Sequence, residues 1–72
     1  MGNGLYMFRH SKRLSQGKMA EKIGCSRKTY AAIEAGEREG SLLFWFGLQA
    51  AFGVSDDEIL ALMRSNASNR ND

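Results

Sequence analysis

Residues 16–38, QGKMAEKIGCSRKTYAAIEAGER, constrain the fold more than any other part of the chain. They read as two short helices joined by a tight turn at Gly24. Ser15 is placed to N-cap the first and Ser26 the second, because a serine oxygen accepts a backbone N–H that a helix's first turn leaves unpaired. Met19, Ala20 and Ile23 share one apolar face, and Tyr30 and Ile33 share another. The rest of the chain must cover those faces with little material. Seventy-two residues make one small domain, and such a domain buries only about 60% of its unfolded surface. There is no proline and no turn-rich rhythm of short strands, so the expected class is all-α.

Two crossed helices, the second opening on the outward cations Arg27 and Lys28 and then carrying the small Ala31 and Ala32, make a helix-turn-helix. Its second helix is expected to lie in a DNA major groove. The charge distribution agrees. Between residues 9 and 28, Arg9, Lys12, Arg13, Lys18, Lys22, Arg27 and Lys28 face Glu21 alone, a net +6. From residue 29 onward Arg38, Arg64 and Arg70 face Glu34, Glu37, Glu39, Asp56, Asp57, Glu58 and Asp72, a net −4. The first half carries a plausible phosphate footprint and the second does not. The alternative for any one of these cations is a solvated surface charge.

Around this pair, residues 2–4 are expected to be loose. A first helix is expected over about residues 5–13, with Leu5, Phe8 and also Met7 inward. Gly36 suits the left-handed residue that ends a helix. A fourth helix is expected over about residues 41–52. At 100° per residue it places Leu42, Trp45, Phe46, Leu48, Gln49 and Phe52 on one side, taken as the core face. Leu43, Phe44, Gly47, Ala50 and Ala51 fall on the other. Gly53 stops that helix. Ser55 with Glu58 forms a capping box, and Asp56 and Asp57 suit the helix dipole. A fifth helix then covers about residues 56–63, with Ile59, Leu62 and Met63 inward. The expected organisation is one domain over residues 1–64 and a disordered polar tail over residues 65–72.

With these residues in view, the chain resembles the Cro and lambda-type repressor helix-turn-helix family, also called the xenobiotic-response-element type. The residues that carry the resemblance include Leu14-Ser15-Gln16, the run from Met19 through Gly24, Ser26-Arg27, Thr29, Ile33-Glu34, Gly36, Ser41-Leu42 and Phe52-Gly53-Val54-Ser55. It runs without a gap from about residue 5 to residue 60. It implies a compact five-helix, lambda-repressor-like DNA-binding domain, usually a dimer, with helices two and three as the motif. Three positions depart from the pattern. Gly40 replaces a frequent proline, which implies a looser loop. Tyr30 replaces Ile or Val, so its hydroxyl must reach an edge or a partner. Gln49 replaces a small core alanine.

The roles follow from chemistry and position. Arg27 and Lys28 are the base-reading candidates, since a guanidinium can bond guanine O6 and N7 together and an ammonium reaches the same acceptors; the alternative is two phosphate contacts. Ala31 and Ala32 would touch thymine methyls or simply permit close approach. Thr29 suits either a base or a phosphate. Gln16 resembles the family's residue at the start of helix two, where a phosphate can be met. Lys12, Arg13, Lys18 and Arg38 are further phosphate candidates. By the resemblance, Arg9 and Glu34 occupy positions that commonly pair. Leu43, Phe44, Gly47, Ala50 and Ala51 are the candidates for a two-fold dimer interface, because a monomer would leave Leu43 and Phe44 in water.

Other chemistries find little support. The one cysteine, Cys25, cannot form an internal disulfide, which fits a reducing cytoplasm, and a small buried thiol is expected there. His10 is alone. No Ser/His/Asp set, glycine-rich phosphate loop or metal cluster stands out, so neither an enzyme nor a cofactor or metal is expected. No apolar run approaches the roughly 20 residues that span a bilayer. Met1-Gly2 opens like a myristoylation signal, but Tyr6 stands where that signal needs Ser or Thr. The leading expectation is therefore a sequence-specific regulator, most simply a repressor that binds a palindrome in double-stranded DNA as a homodimer. The competing one is an antitoxin-like module whose helix-four face holds a different protein.

Overall fold

The chain is described by a computed structural model over residues 4–67. Five helices follow one another: α1 (Gly4–Ser11), α2 (Gln16–Ile23), α3 (Arg27–Glu34), α4 (Leu42–Phe52) and α5 (Asp56–Ala67). Their ends are set by local chemistry. Ser15 Oγ accepts the Lys18 N–H at 3.1 Å and Ser26 Oγ accepts that of Thr29 at 3.0 Å, so α2 and α3 both start on a serine cap. Between them Gly24 takes a left-handed φ of 101° while its N–H closes on the Ala20 carbonyl, a conformation that glycine alone adopts without cost. Ser41 caps α4 through the Phe44 N–H. Ser55 and Glu58 exchange both bonds of a capping box at the start of α5.

α2 packs against α3 and α4, while α1 packs against α5. Leu5, Met19, Ala20, Ile23, Tyr30, Ile33, Phe44, Trp45, Leu48 and Ile59 form the core, with Phe8, Leu14, Phe52, Leu62 and Met63 around it. α1 ends at Ser11, two residues earlier than expected, because Arg13 turns left-handed with φ of 58°. Met7 points outward and is 66% exposed. Gly4, expected to be loose, is the buried first residue of α1. It lies against Ser65 of α5.

The main correction concerns α4. Its buried side is Phe44, Trp45 and Leu48, whereas Leu42 and Phe46, expected in the core, are 65% and 57% exposed. α4 is apolar around most of its circumference, so hydrophobicity alone does not choose its inner face. Packing does. Gly47 rests on the last turn of α2, where a Cβ would come 2.5 Å from the Ile23 carbonyl oxygen. This close approach turns Phe44 inward. Its ring then stacks at 6.2 Å on Tyr30 and meets Trp45 edge-on at 5.1 Å. Phe44 is thus part of the monomer core and Gly47 is taken up by its contact with α2, so both leave the set of interface candidates.

Two further expectations change. The loop before α4 is not loose at Gly40, where a Cβ would lie 2.9 Å from Trp45 Nε1. Residues 65–67 continue α5 rather than begin a tail, and the rest of that expected tail lies outside the described residues. Asn66 explains the extension. It is buried, donates from Nδ2 to the Ile33 carbonyl at 3.1 Å and accepts the Leu5 N–H on Oδ1 at 3.3 Å. One side chain thereby satisfies a carbonyl near the end of α3 and an amide in the first turn of α1. Gln49, half-buried, similarly joins α4 to α5 by donating to the Val54 carbonyl and to Asp56.

Candidate nucleic-acid interface

The first turn of α3 stands clear of the core. Arg27 and Lys28 are exposed, and Thr29, Ala31 and Ala32 are half-buried. Arg27 runs back beside α2, where a Cβ on Gly17 would lie 3.7 Å from its Cδ. The Thr29 hydroxyl accepts a 2.9 Å hydrogen bond from Ser26 Oγ. The cap therefore fixes both the helix start and the Thr29 rotamer. Arg38 comes close to this turn, sharing with Gly24 and Thr29 the wall of a cleft of about 220 Å³.

The other cations are arranged less uniformly. Lys18 is exposed at the start of α2 and lies 3.6 Å from Glu21, a surface pair worth little. Arg13 is exposed at the left-handed turn that leads into α2. The Lys12 ammonium sits 5.2 Å from the Phe8 ring and 5.9 Å from the Phe52 ring, a favourable cation–π position.

Behind the exposed turn, three helices meet at one carboxylate. Glu34 is only 4% exposed. Arg9 Nε from α1 donates to its Oε2 at 2.8 Å. Gln16 Nε2 from α2 donates to Oε1 at 2.6 Å. The Tyr30 hydroxyl from α3 donates to Oε2 at 3.0 Å. Arg9 also holds the Leu14 carbonyl at 2.9 Å, which ties the α1–α2 connection to the same point. The Tyr30 hydroxyl thus has its partner, and Arg9 and Glu34 form an ion pair.

Burial alone would push the Glu34 carboxyl up, but hydrogen bonds from Arg9, Gln16 and Tyr30, with the Arg9 charge, hold it below the usual carboxylate range. Tyr30 is raised well above its ordinary value, first by burial and then by Glu34. The hydrogen bond from Arg9 to Glu34 raises the guanidinium further. Cys25, half-buried at the turn, has its thiol pushed up by burial, so it is held in the unreactive form.

The sequence missed two groups that shape this surface. Leu42 and Phe46 join Leu43, itself 80% exposed, as large apolar side chains in water on α4, with Ala50 also exposed. Asn66 clamps the end of α3, and nothing in the run SNASNRND distinguishes it from its polar neighbours.

Two helices crossed over a glycine turn, both serine-capped, with the second offering cations outward, define a helix-turn-helix protein. The chain belongs to that family: the Helix-turn-helix family model matches residues 5–59. By family it is a DNA-binding protein of the transcriptional-regulator class. It is 39% identical over 59 residues to an uncharacterized HTH-type transcriptional regulator of Methanocaldococcus jannaschii, a match that covers 82% of this chain and 89% of the relative. No solved structure matches. Among the described residues no helix is long and apolar enough to cross a membrane.

Proposed function

We propose that the chain is a sequence-specific repressor that binds a palindromic operator as a homodimer. α3 lies in the major groove, where Arg27 and Lys28 read base edges and Ala31 and Ala32 let the helix approach closely. Gln16, Lys18, Thr29, Arg38, Arg13 and Lys12 contact the backbone on either side. The observation that carries this reading is the exposed cationic turn of α3, held in one orientation by its serine cap and by the Glu34 junction beneath it.

The dimer contact is the outward stripe of α4: Leu43 and Ala50 with Leu42 and Phe46, and Ala51 at its edge. Three large apolar side chains in water on one short helix favour a protein partner, and a second copy gives the paired α3 helices that a palindrome needs. A mobility shift on randomised duplexes, run beside analytical ultracentrifugation, tests the proposal. Salt-sensitive retention of a selected sequence by a dimer is the expected result. A chain that ignores DNA and is held instead by a different protein through α4 is the antitoxin-like alternative.

A further inference from the structure

The Gln16 side chain is bonded to a buried carboxylate, and this has a consequence for the DNA backbone. An ionised carboxylate only accepts hydrogen bonds. The carboxamide of Gln16 can therefore meet Glu34 only through an N–H, never through its oxygen, and the 2.6 Å contact runs from Nε2 to Oε1. Glu34 in turn cannot swing away, because Arg9 and Tyr30 hold its Oε2 at 2.8 and 3.0 Å. Arg9 is itself anchored on the Leu14 carbonyl, two residues before Gln16.

We infer that Glu34 is a positioning residue for DNA, which fixes the Gln16 amide so that its second N–H is presented to a phosphate oxygen. This rests on the proposed DNA-binding function and on Gln16 as one of its backbone contacts. Left to itself, a glutamine amide samples many positions; tied to Glu34 by one N–H, it has its second N–H as the one group that a phosphate, itself only an acceptor, can bond. The buried anion anchors the amide before DNA arrives, so part of the ordering cost is already met. Arg9 offsets the carboxylate's charge, so the phosphate does not face a bare negative group. Tyr30, which departs from the family's aliphatic residue, adds a donor that stops the carboxylate from rotating.

The test is a double-mutant cycle on DNA affinity, at a temperature where circular dichroism shows every variant folded. Glu34→Gln keeps the shape but offers Gln16 a group that both donates and accepts, so the amide orientation is no longer fixed. It should weaken binding about tenfold, the change expected when one charge-assisted hydrogen bond is lost. In a Gln16→Ala background the same substitution should weaken binding little further. Gln16→Ala should leave the salt slope unchanged, because an uncharged glutamine releases no counterion.

Equal weakening in both backgrounds would make Glu34 merely structural and overturn the role. So would wild-type affinity in Gln16→Ala. Should Glu34→Gln not fold, Tyr30→Phe takes its place in the cycle, with a smaller effect of the same pattern. NMR of the Gln16 side-chain amide separates this inference from the function beneath it. In the free protein one of its two protons should be shifted and slow to exchange, and DNA should move the other. A chain whose free amide shows one shifted, slowly exchanging proton but which binds no duplex contradicts the proposed function. A chain that binds duplex while both Gln16 side-chain protons keep the shifts and fast exchange of a solvated amide contradicts the role of Glu34 alone.

Discussion

Arg9, Gln16, Tyr30 and Glu34 show how much one buried charge can organise when each of its lone pairs is used. The Arg9 and Glu34 side chains are 13% and 5% exposed, so neither group has enough water to compensate for the loss of the other. Arg9→Ala or Glu34→Ala should each cost about 3–5 kcal/mol, and the double mutant should cost less than their sum. Thermal melts read both. The linkage with pH has a definite sign. The folded Glu34 pKa is lowered, so its stabilisation is present above the ordinary carboxylate range and is lost as pH falls through the folded value. Tyr30 is raised from an ordinary 10.0, so its contribution is complete below that pH and is lost as pH rises beyond it. Tyr30→Phe should therefore flatten the alkaline limb of a stability–pH profile and, by removing one of the hydrogen bonds that hold Glu34 down, move the acid limb to higher pH; an unchanged alkaline limb would contradict the buried hydroxyl.

At the scale of the helices, α4 and α5 carry the sharpest tests. Gly47→Ala places a methyl against the Ile23 carbonyl and should destabilise the monomer by about 1–3 kcal/mol, as overpacking does. Phe46→Glu or Leu43→Glu touches no core and should instead yield a folded monomer by ultracentrifugation. A dimer that survives both places the interface elsewhere. Asn66→Ala strands the Ile33 carbonyl and the Leu5 amide, with an expected loss of about 1–3 kcal/mol in denaturant melts.

These elements also show what a sequence reveals. The serine caps, Gly24, Gly36 and the Ser55–Glu58 box are local, and they were legible because their chemistry involves residues three or four apart. The need of Tyr30 for a polar partner was legible for the same reason that any buried hydroxyl needs one. The inner face of α4 was not, because Leu42, Leu43, Phe44 and Phe46 are equally apolar and only contact with α2 distinguishes them. Asn66 was hidden because its partners are 33 and 61 residues away. Among the site residues, the exposure of Arg27 and Lys28 follows from the cap before them, whereas the attachment of Gln16 to Glu34 depends on how α2 and α3 cross.

At the scale of the whole molecule, a cationic stretch up to residue 28 is followed by a net acidic one, and on the proposed function the cations around α2 and the start of α3 set the dependence of DNA affinity on salt. Lys18→Ala should weaken all duplexes alike and flatten the dependence of affinity on salt, since a phosphate contact carries no sequence information. Arg27→Ala should cost roughly 1–3 kcal/mol on the preferred site only. The most direct measurement of the central claim is parallel selection of bound duplexes from a random pool by the unsubstituted chain and by Arg27→Ala. The unsubstituted chain should enrich a palindrome with half-sites roughly 34–36 Å apart, and Arg27→Ala should lose preference at one symmetry-related pair of positions while keeping the rest. No enrichment by the unsubstituted chain, or an identical site from both, would contradict the claim that the first turn of α3 reads the bases.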